Sequence, residues 1–261
     1  MTITGPGGIG KTALGRAAAV EVSSEFEYGH VVVDLTRIED ESGVAEAVAM
    51  QLGCADYASL MNSPSDQPAL IMLDNCEHIL DAAANVVSEL LDACRMPTIL
   101  TTSRSPLDLP DESIITLAPL ELPIEGAATD AASLRLLRTR AIDQGASLDP
   151  AENDELAEIC RRVDGIPLAI EIAAARLRTR TTGEVVSELD ARPHELARHR
   201  FRGHPNQRSV ADMVGWSVDL LPPLAKDVFP VLGAFAGPFT LDMAVAAFAA
   251  DDAGPIRAAL D

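Results

Sequence analysis

The chain has 261 residues, with 40 acidic and 20 basic side chains and a formal net charge of −20. Such an excess of negative charge disfavours a broad surface for nucleic-acid phosphates, but it leaves room for one locally basic pocket that holds a phosphate ligand. Hydrophobic residues make up 48% of the chain, yet no apolar run is long enough to span a bilayer and the first residues do not form a secretory signal. We therefore expect a cytoplasmic protein of two or three domains that does not contact a membrane.

The first half of the chain alternates between strand and helix patterns. Strands are predicted at residues 2–4, 30–35, 69–73, 97–101 and 113–117, and helices at 12–22, 41–52 and 80–94. This alternation is typical of parallel βαβ units, in which helices cover both faces of the sheet.

The second half has a different pattern. Residues 118–126 contain two prolines and a glycine and are predicted to be a linker. From there to about residue 189 the pattern is helical, with no convincing strand. A polar stretch follows at 192–208, and further short helices are predicted from about residue 209 onwards.

The sequence GPGGIGKT, residues 5–12, matches the pattern G-x-x-x-x-G-K-[ST] between a predicted strand and a predicted helix. Glycines let successive backbone N–H groups face one anion, and the positive end of the following helix adds to the attraction. Lys11 can reach the β- and γ-phosphates, and the Thr12 hydroxyl is a suitable Mg²⁺ ligand. The predicted nucleotide-binding residues here are Gly5, Pro6, Gly7, Gly8, Ile9, Gly10, Lys11, Thr12 and Ala13.

Two further strands end in residues that fit the same chemistry. Asp74 follows the apolar run of ALIMLDN, residues 69–75, and so lies at the carboxyl end of a buried strand, where ligands bind in open α/β sheets. A carboxylate there can hold Mg²⁺ through water. Arg104 ends the run ILTTSR and can reach a γ-phosphate. From the residues alone, a surface arginine without a ligand is an equally good interpretation.

The stretch GIPLAIEIAAARLR, residues 165–178, predicts a core helix with a defined start. Gly165 can end the preceding helix in a left-handed turn, and Pro167 can open the next helix in its first turn. Nothing in the spacing of this stretch requires a ligand.

Taken together, the four motifs GPGGIGKT, LIMLDNCEHIL, TILTTSR and ICRRVDGIPLAIEIAAARLR resemble the STAND class of signalling ATPases. The likeness is greatest to bacterial regulators of the AfsR/MalT and LuxR-associated type, relatives of the NB-ARC domain. Residues 206–244 are similar to the winged-helix part of the same module. The resemblance implies an α/β P-loop NTPase domain at 1–120 with a parallel sheet, an all-α lid at 121–190 and a winged-helix domain, not necessarily complete, at 191–261.

The resemblance also implies roles and partners. The strand that leads to Arg104 would lie between the P-loop strand and the Asp74 strand, and Arg104 would sense the γ-phosphate. Pro167 of the lid would pack on the nucleotide base, and Thr12 with Asp74 would hold Mg²⁺. ADP would keep the parts closed and ATP would open them for self-association. Output domains would lie outside this chain.

Asn75 departs from the pattern of many ATPases, which place there a second carboxylate that orients the attacking water. An amide can hydrogen-bond water but cannot take its proton. Glu77 is the nearest substitute, although a role at the start of a helix is equally compatible with its position. The catalytic candidates are therefore Asp74, Glu77 and Arg104, and we expect slow or absent hydrolysis, a weak ATPase at most.

Two other departures concern the ends of the module. Only Thr2–Thr4 precedes the loop, whereas the family has more of this strand and an upstream segment beside the adenine. We therefore expect a piece of a module with an intact phosphate site and reduced contact to the base. A histidine that contacts nucleotide in some relatives has no clear match, and His204 and Arg208 are minor candidates for it.

Two alternatives to a nucleotide-dependent switch stay open. An active ATP hydrolase is disfavoured by Asn75. A DNA-binding regulator acting through the winged helix is disfavoured by charge, because Lys226 and Arg257 are the only lysine or arginine residues after Arg208. We expect no direct DNA binding by this segment.

Overall fold

The computed structural model describes residues 1–27, 29–62, 69–93, 97–124, 131–149, 152–191 and the single residue 243. The chain divides into two compact units, Met1–Pro193 and His194–Asp261. Apart from Ala191 and Met243, the expected winged helix, with His204 and Arg208, lies outside the described residues and stays a prediction. Apart from Met243, the described residues all belong to the first unit.

A five-stranded parallel sheet forms the framework of this unit. Its strands are β1 (Thr2–Thr4), β2 (His30–Asp34), β3 (Ala69–Asp74), β4 (Pro97–Ser103) and β5 (Ile114–Thr116). They lie in the order β2-β3-β4-β1-β5, and each neighbouring pair is parallel. The expectation that β4, which leads to Arg104, lies between β1 and β3 is confirmed.

Helices cover both faces of this sheet, as the alternating pattern predicted. They are α1 (Lys11–Glu21), α2 (Glu41–Gln51), α3 (Tyr57–Asn62) and α4 (Leu80–Ala93), with short 3-10 helices at Ser23–Glu25 and Cys76–His78. Successive side chains of β3 point to opposite faces. Leu70 and Met72 pack in a cluster that includes Ala19 of α1, whereas Ile71 and Leu73 pack in a cluster that includes residues of α2 and α4. The sequence pattern did not predict α3 or either 3-10 helix.

Four helices follow the sheet: α5 (Ala132–Asp143), α6 (Asn153–Arg162), α7 (Pro167–Arg176) and α8 (Thr182–Ala191). Pro167 occupies the first turn of α7, where its missing N–H costs no hydrogen bond. No strand lies in the described residues beyond 116, in agreement with the predicted helical pattern. None of the helices within the described ranges is long and apolar enough to cross a membrane.

The turn between α6 and α7 is held against the linker that follows β5. The backbone N–H of Leu120 donates to the carbonyl of Gly165 at 3.0 Å. Gly165 has φ +66, and a Cβ at this position would lie 2.3 Å from the Leu120 carbonyl oxygen. Only glycine fits here, because both the left-handed backbone and the close approach of a second chain segment exclude a side chain.

Replacement of Gly165 by alanine is therefore expected to destabilise the protein strongly. Gly145 is a matched control, because it also has positive φ, +86, but faces open space. Gly145→Ala should cost about 1–2 kcal/mol from backbone strain alone. Gly165→Ala should cost roughly 1–3 kcal/mol more, since a methyl group must be forced against packed backbone. Urea unfolding of both variants measures the difference, and equal free energies of unfolding would contradict the predicted packing.

Candidate functional site

The loop between β1 and α1 follows a path that only its glycines allow. Gly5, Gly8 and Gly10 have φ values of 146°, 72° and 99°. A Cβ on Gly5 would also lie 3.1 Å from the carbonyl oxygen of Leu117. The loop can therefore turn tightly around a small anion at the amino end of α1, which is the requirement for binding a phosphate.

Lys11 is the first residue of α1, and its side chain turns back onto the loop. Its Nζ donates to the carbonyls of Gly5 at 2.7 Å and of Pro6 at 3.1 Å. Only 8% of the residue is exposed. Burial lowers the pKa of Lys11, and the nearby Arg104 guanidinium acts in the same direction while Glu77 and Asp74 oppose it. The cation is thus held against the loop by two backbone carbonyls.

Thr12 and Asp74 meet where α1 begins and β3 ends. The Thr12 hydroxyl donates to Oδ1 of Asp74 at 2.7 Å, and Asp74 is only 1% exposed. The half-exposed Arg16 places its Nη2 3.6 Å from Oδ2 of the same carboxylate. Sequence reasoning did not predict this contact, although Arg16 lies one helical turn beyond Thr12 and therefore on the same face of α1.

The donor set at this position fits magnesium. Mg²⁺ is usually bound by one or two protein oxygens, with water and substrate phosphates completing its octahedron. Thr12 and Asp74 supply one hydroxyl and one carboxylate beside the glycine-rich loop. Within the described part of the chain no group of three or more His, Cys, Asp or Glu residues could hold a metal ion alone.

The end of β4 supplies a second hydroxyl to the same carboxylate. Thr102 donates to Oδ1 of Asp74 at 2.6 Å and accepts a hydrogen bond from the backbone N–H of Asn75 at 3.0 Å. Asn75 itself has a left-handed backbone, and its side-chain amide donates to the hydroxyl of Thr36 at 3.1 Å. Sequence reasoning missed the contacts of Thr36 and Thr102. For Thr102, the available signal was the polar ending TTS directly after the apolar residues Ile99 and Leu100 of β4.

Glu77 and Arg104 form a largely buried pair beside this group. Glu77 lies in the 3-10 helix that follows β3, in agreement with its expected place just past the strand. Its Oε1 is 3.4 Å from Nε of Arg104, and the two side chains are 5% and 18% exposed. Among the described residues, its Oε2 is buried and accepts no hydrogen bond. The pairing of these two catalytic candidates was not foreseen.

The start of α7 reaches the phosphate-binding loop from the helical part of the unit. The backbone N–H of Leu168 donates to the carbonyl of Gly8 at 3.2 Å. A Cβ placed on Gly10 would lie 3.9 Å from Cγ of Pro167. Pro167 is therefore adjacent to the loop, and its expected contact with a nucleotide base stays a prediction.

The structure brings the predicted site residues together at the carboxyl ends of β1, β3 and β4. The loop residues 5–10, Lys11, Thr12 and the following Ala13 come from one segment. Asp74 comes from the end of β3, Glu77 from the 3-10 helix that follows β3, and Arg104 from the position just after β4. Their individual roles in binding or catalysis stay predictions.

The chain matches no family model. It is 34% identical over 258 residues to an uncharacterized protein of Mycobacterium tuberculosis, covering 97% of this chain and 64% of that protein. A protein of the same organism assigned as an HTH-type transcriptional regulator is 36% identical over 261 residues, which are 98% of this chain and 29% of the regulator. The regulatory protein AfsR of Streptomyces griseus is 29% identical over 262 residues, 95% of this chain and 25% of AfsR.

Among solved structures, a Signal Transduction ATPase with Numerous Domains (STAND) protein from Pyrococcus horikoshii is similar with a TM-score of 0.42 and 14% identity. The similarity covers 99% of this chain and 36% of that protein.

The sheet order and the loop between β1 and α1 define the class, which is that of the P-loop NTPases. The chain is homologous to AfsR and to the HTH-type regulators, so the resemblance to the NTPase module of STAND-type regulators is confirmed. It spans about two thirds of the uncharacterized relative and less than a third of either regulator.

Proposed function

We propose that this chain is an ATP- and ADP-binding regulatory switch module with slow hydrolysis, belonging to a bacterial signalling or transcriptional regulator. The observation that carries the proposal is the convergence of Lys11, Thr12, Asp74 and Arg104 around one glycine-rich loop. These residues supply, in one place, a cradle for phosphates, two oxygen ligands for a cation and an arginine for the terminal phosphate.

The loop and the cation of Lys11 would bind the β- and γ-phosphates. In the described structure Lys11 donates to two loop carbonyls, which are neutral acceptors. Anionic phosphate oxygens form stronger, charge-assisted hydrogen bonds with an ammonium group. Thr12 and Asp74 would hold Mg²⁺, which neutralises charge on the phosphate oxygens when bound. Binding therefore needs little rearrangement of the framework.

Arg104 supports a response that depends on the γ-phosphate. Its guanidinium is 3.4 Å from the carboxylate of Glu77. ATP offers an additional anion that competes with Glu77 for this arginine, whereas ADP does not. A ligand can shift a conformational equilibrium only by interacting differently with its two states, and this competition supplies such a difference.

Slow hydrolysis follows from the groups beside Asp74. Asn75 cannot accept a proton, and its side-chain amide already donates a hydrogen bond to the hydroxyl of Thr36. Glu77, the nearest carboxylate that could replace it as a base, lies against Arg104. The proposed module would consequently keep ATP bound for long periods, as a switch requires.

The partners of the module would lie elsewhere in the regulator. The chain matches only 29% of the HTH-type regulator and 25% of AfsR, so sensing and output would belong to other domains. We propose self-association in the ATP state and no direct DNA binding by this segment, because its net charge is −20.

Lys11→Ala is expected to abolish nucleotide binding, because it removes the positive side chain of the loop and leaves only neutral backbone N–H groups to bind the phosphates. In wild type, ADP at about 100 times its dissociation constant should stabilise the fold by about 2.7 kcal/mol. Thermal unfolding with and without Mg-ADP measures this difference, and the variant should show none. Arg135→Ala, which removes an exposed cation from α5, should respond like wild type. Equal stabilisation of wild type and Lys11→Ala would refute the assignment.

Arg104→Gln is expected to remove the preference for ATP over ADP. A hydrogen bond to a charged group contributes about 1.5–3 kcal/mol, so the ratio of the two affinities should fall by about tenfold or more. The affinity for ADP should change little. Calorimetric titration with ADP and a non-hydrolysable ATP analogue gives the ratio. Arg162→Gln, which alters a surface ion pair on α6, is the control. If Arg104→Gln leaves the ratio of the affinities for the ATP analogue and ADP unchanged, Arg104 does not sense the γ-phosphate.

Hydrolysis of ATP by the purified chain should be slow, on the order of the 10⁻⁴–10⁻² s⁻¹ found for switch GTPases without an added arginine. Phosphate release measures it, with Lys11→Ala as the control for contaminating activity. Asn75→Asp should increase the rate, because a carboxylate can accept a proton from water and Asp tolerates a left-handed backbone. Wild-type turnover of many ATP molecules per minute would instead favour the active hydrolase.

A further inference from the structure

The hydroxyl of Thr102 has a defined hydrogen-bond direction. It lies 3.0 Å from the backbone nitrogen of Asn75 and 2.6 Å from Oδ1 of Asp74. A backbone N–H can only donate, so the oxygen of Thr102 is the acceptor in the first contact. Its single proton is therefore directed at the carboxylate. The Thr102 hydroxyl is therefore hydrogen-bonded to two consecutive residues, to the side chain of Asp74 and to the backbone of Asn75.

Packing also fixes the rotamer of Thr102. The residue is 1% exposed, and its Cγ2 approaches α1, since it would lie 3.4 Å from a Cβ placed on Gly15. A β-branched side chain has few χ1 alternatives, and a buried methyl group restricts them further. The hydroxyl consequently cannot turn away from Asp74 without displacing the methyl group from this contact.

Asp74 thus receives two hydroxyl protons on one oxygen. Thr12 and Thr102 both donate to Oδ1, from α1 and from β4. The other oxygen, Oδ2, is the one nearest the half-exposed Arg16. With Oδ1 held on both sides, the carboxylate plane is fixed and Oδ2 is the oxygen left for a hydrated cation. The Thr12 hydroxyl, whose proton is directed to Oδ1, keeps its lone pairs for the same cation.

We infer that Thr102 is a positioning residue for magnesium binding, which holds the carboxylate of Asp74 and the backbone of Asn75 in the geometry that the cation needs. This inference rests on the proposed function, since it concerns Mg²⁺ bound together with a nucleotide. Thr102 acts through Asp74, and its loss should weaken the contribution of the metal to binding and leave the phosphate-binding loop intact.

The test compares affinity for ADP with Mg²⁺ and with EDTA in purified wild type and variants. Thr102→Val keeps the shape and removes the hydroxyl. Its gain in affinity on adding Mg²⁺ should be about tenfold smaller than in wild type, the usual effect of a lost hydrogen bond to a charged group. Its affinity in EDTA should match wild type. Mn²⁺ bound with ADP, followed by electron paramagnetic resonance, reports on the metal directly and should show the same loss.

Two further variants distinguish positioning from folding. Thr101→Val removes a buried hydroxyl of the same strand that bonds to Thr2 and faces away from the site, so it should keep the full magnesium effect. Thr102→Ser and Thr102→Ala both lack the methyl group and differ only in the hydroxyl. Thr102→Ser should restore the magnesium effect, and Thr102→Ala should not. This pair also carries the test if Thr102→Val does not fold.

The outcomes separate this inference from the proposed function. The inference is overturned if adding Mg²⁺ raises the affinity for ADP as much in Thr102→Val or Thr102→Ala as in wild type. ADP binding by wild type would still support the proposed function. Failure of wild type to bind ADP under either condition overturns both. Equal loss in Thr101→Val and Thr102→Val shows a general weakening of β4 and overturns the positioning role.

Discussion

The buried carboxylate of Asp74 is the constraint on which the arrangement of the site depends. A carboxylate that is 1% exposed is costly unless hydrogen bonds and nearby cations compensate for the lost water. Thr12 and Thr102 supply two hydroxyl donors, and Arg16 lies near the second oxygen. These partners come from α1 and β4, so satisfying one charge fixes the start of the first helix relative to the ends of two strands.

The site concentrates positive charge within a strongly acidic chain. Lys11, Arg16 and Arg104 come together at the carboxyl end of the sheet, where Asp74 and Glu77 partly neutralise them. Lys11 is largely buried, and this burial lowers its pKa. A phosphate ligand would enter a place that already contains its counter-charges, and it would compete with two carboxylates for them. The net charge of the chain therefore says little about this pocket.

The framework was predictable from sequence because its signals are local. The glycines of GPGGIGKT, the apolar run before Asp74 and the turn at Gly165–Pro167 each determine a conformation within a few residues. The contact between Glu77 and Arg104 could not be obtained in this way. It depends on the pairing of β3 with β4, and the residues are far apart in sequence. The same reason explains why the hydroxyl of Thr102 was missed, since only its neighbour across the sheet gives it a role.

Backbone contacts give the proposed switch a route from the loop to the helices. The backbone N–H of Leu168 donates a hydrogen bond to the carbonyl of Gly8. Two residues before Pro167, the carbonyl of Gly165 accepts a hydrogen bond from the backbone N–H of Leu120 in the linker. A change in the path of the loop on nucleotide exchange would alter the first bond directly. The second bond lies only three residues away from it, across a turn that tolerates no side chain at Gly165. Because this turn is tightly packed, movement of the loop would be transmitted to the linker and to α7 together, and would not be absorbed within the turn.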